Sequence, residues 1–363
     1  MLVLERHYTA GGFTHIFKRK GYEWDVGIHY IGGMEKDHSV LKKIFDYITE
    51  SKLKWADMGP VYDRIVIGEQ TYDFVKGVGN WTEKMLEYFP EESTAIGQYL
   101  DLVFDVSKTS RNFFIEKTFT PWMSKLFGWY LRKPYLKYAN QSTETVLRRI
   151  TDNDRLIKVL CGQYGDYGLP PKQSSFAMHA SLVRHYFSGG YFPIGGSSQI
   201  VETIAPVLHR LGSALLISAE VDEILVDNNK AVGVRMKDGK SFKATNIISN
   251  AGIFTTYNSL IPKASFQKHQ LAKHLKQVKH SVAHACLYIG LEGSPEALKL
   301  PKANYWIYPK DLSHDACVDR YLKDISQDFP VVYISFPAAK DPDWSNRYPG
   351  KSTVDIITLV PYE

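Results

Sequence analysis

The sequence predicts an α/β fold, and three stretches carry this prediction. Leu2, Val3 and Leu4 form an apolar run without alternation, which is typical of a strand buried on both faces of a parallel sheet. Residues 199–211 place apolar side chains at helical spacing. Short segments follow over residues 214–244, with turn signals between them that are typical of antiparallel strands. Together they predict a parallel sheet plus an antiparallel meander.

An acidic residue directly follows the first strand. Glu5 stands where dinucleotide-binding folds place the carboxylate that accepts hydrogen bonds from the adenosine ribose. Gly11 and Gly12 come next, at a position where the backbone can approach a phosphate closely. The strand, the G-x-G-x-x-G turn and the helix that seat a pyrophosphate would all lie before Met1. The domain is therefore expected to be Rossmann-like but incomplete.

Two blocks of this sequence resemble a known family. Residues 1–33, which contain VLERHYTAGGFTHIFKRKGYEWDVGIHYIGG, resemble the second nucleotide-binding segment of the phytoene desaturase, carotenoid isomerase and retinol saturase flavoproteins. Residues 191–252, which begin YFPIGGSSQIVETIAPVLHRLG, resemble the segment that returns to the flavin domain in the same family. The resemblance implies an FAD-binding domain, interleaved with an α+β substrate domain, in a chain truncated at both ends.

The resemblance also implies which residues contact the cofactor. Residues 24–33 lie near the flavin ring in this family, and we expect His29 and Tyr30 to be the side chains beside it. A hydrogen-bonded structural histidine is the alternative for His29. No catalytic residue is assigned. The other residues expected to bind the cofactor are Glu5, Arg6, Gly11, Gly12, Val221, Asn250 and Gly252.

Composition and charge exclude several classes of function. With 363 residues, 44% of them hydrophobic, the chain is long enough to bury a sizeable core and to form two or more domains. The net charge of +5 is too small to indicate nucleic-acid binding. Cys161, Cys286 and Cys317 lie far apart, which argues against a zinc site and favours a reducing, cytoplasmic compartment. No apolar run is long enough to suggest a membrane span.

Patterns in the rest of the chain predict further elements in order. Apolar spacing predicts a helix over residues 39–51, and alternation predicts a hairpin over residues 60–75. Further helices are predicted over residues 81–88, 95–108, 151–160 with Thr151 as the cap, 174–187 and 263–279. Further strands are predicted over residues 246–249, 282–291, 331–336 and 352–360.

These elements suggest how the two domains share the chain. Residues 1–60 and 191–258 are expected to form the FAD-binding domain. Residues 61–190 and 259–363 are expected to form the substrate domain, which is mostly helical in its first part and a mixed sheet in its second.

Residues 113–138 have an unusual composition. Aromatic and leucine side chains interleave here with basic ones, which are Lys117, Lys125, Arg132, Lys133 and Lys137. Amphipathic rings beside long basic side chains are typical of a membrane interface, so we expect peripheral membrane contact. Two alternatives stay open. The aromatics form the core of a helical lobe, or they stack on single-stranded nucleic acid, which the small local charge excess disfavours.

Histidine spacing does not indicate a metal site. His179 and His185 are six residues apart on one predicted helix, which puts them on different faces. His280 and His284 are four residues apart and can share a face, but the glutamate of the zinc hydrolase motif is absent. We therefore expect no bound metal.

The expected chemistry comes from the resemblance, because no catalytic triad or carboxylate pair can be assigned from spacing alone. We expect an FAD-dependent oxidoreductase that acts on C=C bonds of a long isoprenoid or lipid-like polyene. An amine-oxidase-like flavoprotein and a non-catalytic lipid-binding or membrane-docking fragment are the alternatives. Weak flavin binding is expected if the pyrophosphate turn is missing.

Overall fold

The structure is a computed structural model that describes residues 1–37, 39–263, 271–278, 282–310 and 313–362. Its strands are β1 (Leu2–Leu4), β2 (Ile16–Arg19), β3 (Tyr22–Asp25), β4 (Trp55–Asp57), β5 (Val61–Ile67), β6 (Gln70–Val75), β7 (Tyr191–Pro193), β8 (Ala214–Leu216), β9 (Val221–Asp227), β10 (Lys230–Met236), β11 (Ser241–Lys243), β12 (Ala283–Glu292), β13 (Asn304–Tyr308), β14 (Val332–Ser335) and β15 (Lys351–Val360).

The helices fall mainly between β6 and β7 and near the end of the chain. They are α1 (Val40–Thr49), α2 (Val78–Tyr88), α3 (Ser93–Glu116), α4 (Pro121–Ala139), α5 (Thr143–Leu147), α6 (Asp154–Leu160), α7 (Phe176–Tyr186), α8 (Gln199–Arg210), α9 (Ile253–Thr255), α10 (Leu271–Leu275), α11 (His314–Lys323), α12 (Pro337–Lys340) and α13 (Trp344–Arg347). Short 3₁₀ turns cover Gly12–Thr14, Pro90–Glu92 and Tyr164–Asp166, and a π-helical turn covers Thr256–Leu260.

β1 and β8 pair in parallel, as the sequence predicts, and the pairing continues past the strand ends. The Glu5 amide donates to the Leu216 carbonyl at 2.9 Å, and the Ala219 amide donates to the Glu5 carbonyl at 2.8 Å. The prediction that the first strand is buried on both faces is wrong, because Leu2 is exposed and the next two residues are only half-buried. Within the described residues β1 pairs with β8 alone, so its faces are incompletely covered.

β9, β10 and β11 form the predicted antiparallel meander. Asn228 and Asn229 connect β9 to β10 with φ angles of 47° and 62°, and two consecutive positive φ angles are what a type I′ hairpin turn requires. The strand predicted at residues 246–249 is wrong. This segment has no strand partner among the described residues, and Ile248 is 92% exposed. Without a partner, its backbone cannot join a hydrogen-bonded ladder.

A six-stranded mixed sheet has the order β12-β15-β14-β13-β5-β6. β13 pairs in parallel with β5, and the other neighbours are antiparallel. The hairpin predicted over residues 60–75 is confirmed as the β5–β6 edge of this sheet. Helices α2, α3 and α7 pack with the sheet around a core that includes Ile65, Phe74 and Trp81. Strands from two distant parts of the chain therefore share one core.

α3 and α4 pack against each other, and residues 113–138 lie in these two helices and in the connection between them. Between the two helices, Glu116 is 2% exposed and accepts hydrogen bonds from Arg132 at 2.8 Å and from Ser124. Gly128 makes room for this carboxylate, because an added Cβ would lie only 2.6 Å from Glu116 Oε1. The pair is therefore joined by a buried ionic contact as well as by apolar packing.

Large apolar side chains of α4 face solvent. More than half of the surface is exposed for each of Trp122, Leu126, Phe127, Trp129 and Tyr130. The alternative that the aromatics of this stretch form the core of a lobe is therefore wrong for the four aromatic residues of this set. Across the ranges that the structure describes, no helix combines the length and the apolarity that crossing a bilayer requires.

The predicted helices are confirmed, with shifted ends. α6 begins at Asp154, three residues later than predicted, because Asn153 and not Thr151 caps it. The Asn153 side chain accepts the amides of Arg155 and Leu156 at 3.0 and 3.1 Å. α10 lies within the helix predicted over residues 263–279, but residues 264–270 and 279 lie outside the described residues.

Candidate functional site

Several predicted nucleotide-binding residues lie at the carboxyl ends of β1 and β8. The Ser218 amide donates to the His7 carbonyl at 2.8 Å and so joins the segments that follow the two strands. Glu5 Oε1 accepts the His7 amide at 2.8 Å, whereas Glu5 Oε2 makes no hydrogen bond with the described residues. Val221 begins β9 two residues after Ala219, whose amide binds the Glu5 carbonyl. Glu5 and Val221 therefore border one edge, where a carboxylate oxygen is open to a donor.

Gly11 and Gly12 form a turn that packs on α8. Their φ angles are 117° and 54°, in the left-handed region that favours glycine. A Cβ added to Gly11 would lie 3.0 Å from Thr14 Oγ1 and 3.4 Å from Val201 Cγ1. A Cβ added to Gly12 would meet nothing within 4 Å, so the backbone there is open. Arg6, also predicted to bind the cofactor, is exposed.

Asn250 and Gly252 lie in an exposed turn before α9. Gly252 has a φ of 86°, and its carbonyl accepts the Thr256 amide at 2.9 Å. The π-helical turn that follows packs against β9, the strand that Val221 begins. Within the described residues, no hydrogen bond joins this turn to Glu5. The contact of the π-helical turn with β9 links this segment to the meander and so to the strand that begins at Val221.

Tyr30 is buried, and its ring stacks on Tyr186 with 4.5 Å between the ring centroids. Its hydroxyl donates to Asp63 Oδ2 at 2.7 Å and lies 3.3 Å from Asp166 Oδ2. Burial, and then the charge of Asp63, raise the pKa of Asp166 to about 8. At neutral pH Asp166 therefore keeps its proton and can donate it to the Tyr30 oxygen. Both hydrogen-bonding capacities of the hydroxyl are then used inside the fold.

Asp63, on β5, is the centre of a buried polar network. Besides Tyr30, its carboxylate accepts hydrogen bonds from Gln163 Nε2 at 2.6 Å and from Asn304 Nδ2 at 2.8 Å. Burial raises the pKa of Asp63 to about 6, against the effect of these donors. Hydrogen bonds from three donors favour the charged form, so we infer that Asp63 is a carboxylate at neutral pH.

Lys340, at the end of α12, is fully buried. Its Nζ donates to the His29 backbone carbonyl at 2.9 Å, to Ser335 Oγ at 2.6 Å and to Asn304 Oδ1. Burial lowers the pKa of Lys340 to about 7, and nearby buried carboxylates oppose this shift. Three acceptors around one nitrogen favour the ammonium form. Lys340 therefore fixes the backbone of the loop that was predicted to lie beside the flavin.

His29 faces a second group of buried acids. His29 Nδ1 lies 3.5 Å from Asp355 Oδ2, and the two side chains are 11% and 0% exposed. Neither oxygen of Asp355 accepts a hydrogen bond from a described residue, and Ser197 Oγ is likewise buried and unpaired. Asp25 Oδ1 accepts the Ser197 amide at 2.8 Å, and burial raises the pKa of Asp25 to about 6. Unpaired polar atoms in a buried cluster mark a place where a further polar group fits.

Sequence reasoning missed Asp63, Asn304, Lys340 and Asp355. The hydrogen bond from Asn304 to Asp63 spans 241 residues, and spacing along the chain gives no sign of such a contact. Asp355 did carry a signal, because it is the single acid in the apolar strand β15. A charged residue inside an apolar strand indicates either a buried partner or a functional group.

His179 is buried and His185 is half-buried, and the two rings have different partners. His179 Nε2 lies 2.8 Å from the Tyr99 hydroxyl, and His185 Nε2 accepts the Gly32 amide at 2.7 Å. Burial lowers the pKa of His179 to about 3 and that of His185 to about 4. In the part of the chain that the structure describes, no three His, Cys, Asp or Glu side chains are grouped to hold a metal. His280 lies outside the described residues.

The residues present fit FAD in three respects. Glu5 offers an unpaired carboxylate oxygen, and ribose hydroxyls are donors. Gly11 and Gly12 expose backbone in a turn without side chains, as a close approach to phosphate requires. The loop after β3 carries His29 beside polar atoms that have no hydrogen-bond partner among the described residues.

Comparison with known proteins identifies the family. Residues 1–302 match the family model described as flavin containing amine oxidoreductase. The whole chain is 35% identical, over 379 aligned residues, to human all-trans-retinol 13,14-reductase, and it spans 62% of that protein's length. Over 94% of its length the chain is 25% identical to prolycopene isomerase 1 of an Oncidium hybrid cultivar, of which it covers 57%.

A solved structure shares the fold. A crystal structure of a protein from Pyrococcus furiosus superposes with a TM-score of 0.65 at 15% identity, and covers 99% of this chain and 74% of that one. At this identity the likeness concerns the fold alone. The predicted α/β class is confirmed, and so is the resemblance to the retinol saturase and carotenoid isomerase proteins.

Proposed function

The chain belongs to the flavin-containing amine oxidoreductase family, and from this we propose that it is an FAD-dependent oxidoreductase that acts on C=C bonds of a long isoprenoid or lipid-like polyene. One observation carries the proposal. The segment that contains Glu5 and Gly11 meets the segment that leads into Val221 at the β1–β8 edge, and it also packs on the start of α8, although these parts are about 200 residues apart in the chain. The chain spans 62% of the retinol reductase that it matches, so the activity is inferred for the protein of which these residues are part.

Each of these segments has a role in the proposed site. Glu5 accepts hydrogen bonds from the ribose, and the backbone of Gly11 and Gly12 admits a phosphate. The loop that contains His29 lies beside the flavin ring, held by the bond from Lys340 to the His29 carbonyl. When bound, FAD supplies the hydride chemistry. The protein orients the reacting groups and excludes water.

The names of the relatives support a polyene substrate over an amine. One is a retinol reductase and one a prolycopene isomerase, whereas the family model takes its description from amine oxidation. The chain is similar over its whole length to the retinol reductase, which favours chemistry at a C=C bond. An amine-oxidase-like flavoprotein is the alternative, and a substrate assay distinguishes it from an enzyme that acts on polyenes.

The assay compares polyenes with amines. The purified protein is loaded with FAD, supplied with dithionite or with an oxidant, and incubated with retinol, a linear carotene or putrescine. We expect a polyene product that has gained or lost two hydrogens, or an isomer of unchanged mass. Oxidation of the amine without change in either polyene would contradict the proposal. A protein heated before loading controls for chemistry of free flavin.

We also propose that α4 docks the protein on a membrane surface that contains anionic lipid. Exposed rings and the exposed Leu126 lie on α4 together with four basic residues, Lys117 lies just before the helix, and residues 117–138 contain no Asp or Glu. Lys133 Nζ lies 4.7 Å from the Trp129 ring centroid, so a basic group stands over an exposed aromatic face. In such an arrangement the aromatic rings lie at the depth of the lipid headgroups, and the lysine side chains reach the lipid phosphates. A polyene substrate would dissolve in the same bilayer.

We assign the domains as the sequence suggested. Residues 1–60 and 191–258 form the FAD-binding domain, and residues 61–190 and 259–363 form the substrate domain. The six-stranded sheet supports this division, because β5 and β6 come from the first substrate segment and β12 to β15 from the second. The pairing of β1 with β8 supports it on the cofactor side.

A further inference from the structure

A histidine and a carboxylate face each other where the loop after β3 meets the six-stranded sheet. Resting on the proposed function, we propose that His29 transfers the proton in the reaction at the C=C bond, and that Asp355 is the positioning residue behind it. Both oxygens of Asp355 are buried and neither accepts a hydrogen bond from the described residues. A buried carboxylate in this condition is costly unless a cation or a donor faces it.

His29 is the group placed to meet this need. Its Nδ1 lies 3.5 Å from Asp355 Oδ2, so a small rotation of the ring makes the hydrogen bond. Lys340 is the other nearby cation, but its Nζ contacts are the His29 carbonyl, Ser335 and Asn304. These three bonds use all the donors of an ammonium group.

The imidazole is held in place from several directions. Lys340 fixes the His29 backbone through its carbonyl. The Tyr333 ring lies 5.4 Å from the imidazole, centroid to centroid. The titratable groups that face this position are Asp355 on β15, Tyr333 on β14, Asp25 on β3 and Lys340 on α12. With Nδ1 turned to Asp355, Nε2 on the other side of the ring is the atom left to exchange a proton with substrate.

The proposed proton transfer belongs to the reduction of the C=C bond. The proton leaves His29 Nε2 as the alkene π pair forms a new C–H bond, and the N–H electron pair stays on the imidazole. FAD, when bound and reduced by an external two-electron reductant such as dithionite, would supply the hydride that the neighbouring carbon needs. His29 then regains a proton from water, and Asp355 stabilises the imidazolium. A carboxylate behind a histidine serves the same purpose in other acid–base pairs.

The pair itself can be tested without activity. In protein labelled with ¹⁵N-histidine, a His29 Nδ1–H bonded to a buried carboxylate should give a slowly exchanging, downfield imidazole proton signal. Asp355→Asn and His29→Gln should each abolish this signal, whereas His209→Gln, at an exposed histidine, should leave it unchanged. Absence of the signal in the wild type, or its persistence in Asp355→Asn, would overturn the pair whatever the activity.

The catalytic role is tested by turnover and rescue. In the FAD-loaded protein, His29→Gln should lower polyene reduction about 100-fold, the scale of general acid catalysis, while FAD affinity changes less than twofold. Added imidazole should restore part of the activity of His29→Ala but not that of Asp355→Asn. Loss below twofold in His29→Gln would overturn the role. Failure of the wild type to convert any polyene would overturn the proposed function and the role with it, while the histidine signal still decides on the pair.

Discussion

Lys340 joins the loop after β3 to the six-stranded sheet. Its acceptors are the His29 carbonyl, the Ser335 hydroxyl on β14 and the Asn304 side chain on β13. Asn304 in turn donates to Asp63, so Lys340 is connected to that carboxylate through the Asn304 side chain. Removing the ammonium group would leave three buried acceptors without a donor, which costs more than the bonds themselves contribute.

We therefore predict that Lys340→Met lowers the free energy of unfolding by about 3 kcal/mol, because it leaves buried polar groups and a buried carboxylate uncompensated. Urea denaturation followed by fluorescence measures this change. Lys243→Met, at an exposed lysine on β11, is the control and should change stability by less than about 0.5 kcal/mol. Equal effects of the two variants would show that the buried network is not important for stability.

A second residue-scale prediction concerns pH. Burial lowers the pKa of His185 from 6.5 to about 4, and Nε2 of the ring accepts the Gly32 amide in the fold. The unfolded chain therefore binds more protons than the folded one below pH 7, and stability falls as the pH falls towards 4. Between pH 7 and pH 5.5 this single group should cost about 1 kcal/mol.

The variant His185→Gln keeps an acceptor for Gly32 but cannot titrate. Its free energy of unfolding should therefore fall less steeply between pH 7 and pH 5.5 than that of the wild type, as measured by urea titrations at each pH. Buried carboxyls such as Asp166 have raised pKa values and act with the opposite sign, but they are common to both proteins and cancel. Parallel pH profiles for the two proteins would rule out the neutral, half-buried His185.

At the scale of elements, the α3–α4 hairpin has an interior and an exterior of different character. Its interior is held by the bonds from Arg132 and Ser124 to buried Glu116. Its exterior exposes large apolar side chains. Exposed positions can therefore be changed without loss of packing, so the proposed membrane contact can be tested separately from folding.

We predict that Leu126→Glu combined with Trp129→Glu reduces binding to phosphatidylserine-containing vesicles at least about tenfold. Each substitution removes the free energy gained when a large apolar side chain is buried in the membrane, which is about 1.5 to 3 kcal/mol. Flotation on a density gradient measures the binding. Tyr47→Glu, at an exposed aromatic on α1, should bind like the wild type. The melting temperature of both variants should stay unchanged. Undiminished flotation of the double variant would exclude α4 as the membrane contact.

Elements could be predicted from sequence where the pattern was local. The β5–β6 hairpin and α8 were predicted because alternation and helical spacing need only neighbouring residues. β13 was missed because it is five residues long and depends on parallel pairing with β5, more than 200 residues away. The strand at residues 246–249 was predicted from apolar character, yet a strand forms only where a partner lies beside it.

At the scale of the whole molecule, the sequence indicated the residues proposed to bind the cofactor better than it indicated the buried polar network. Glu5 and the Gly11–Gly12 turn follow one another along the chain, so a motif could locate them. The network of Asp63, Asn304 and Lys340 brings together three distant segments, and only the folded sheet shows that they meet. Local patterns thus predict the residues proposed to bind the nucleotide, whereas the buried polar network depends on tertiary contacts.

In the proposed FAD site, segments that are separated along the chain bind one cofactor, and amide hydrogen exchange with and without saturating FAD measures whether they do. Slower exchange is expected in peptides covering residues 5–12, 27–30 and 217–221, and no change in α4. Protection absent from these peptides at saturating FAD, or confined to other parts of the chain, would contradict the account.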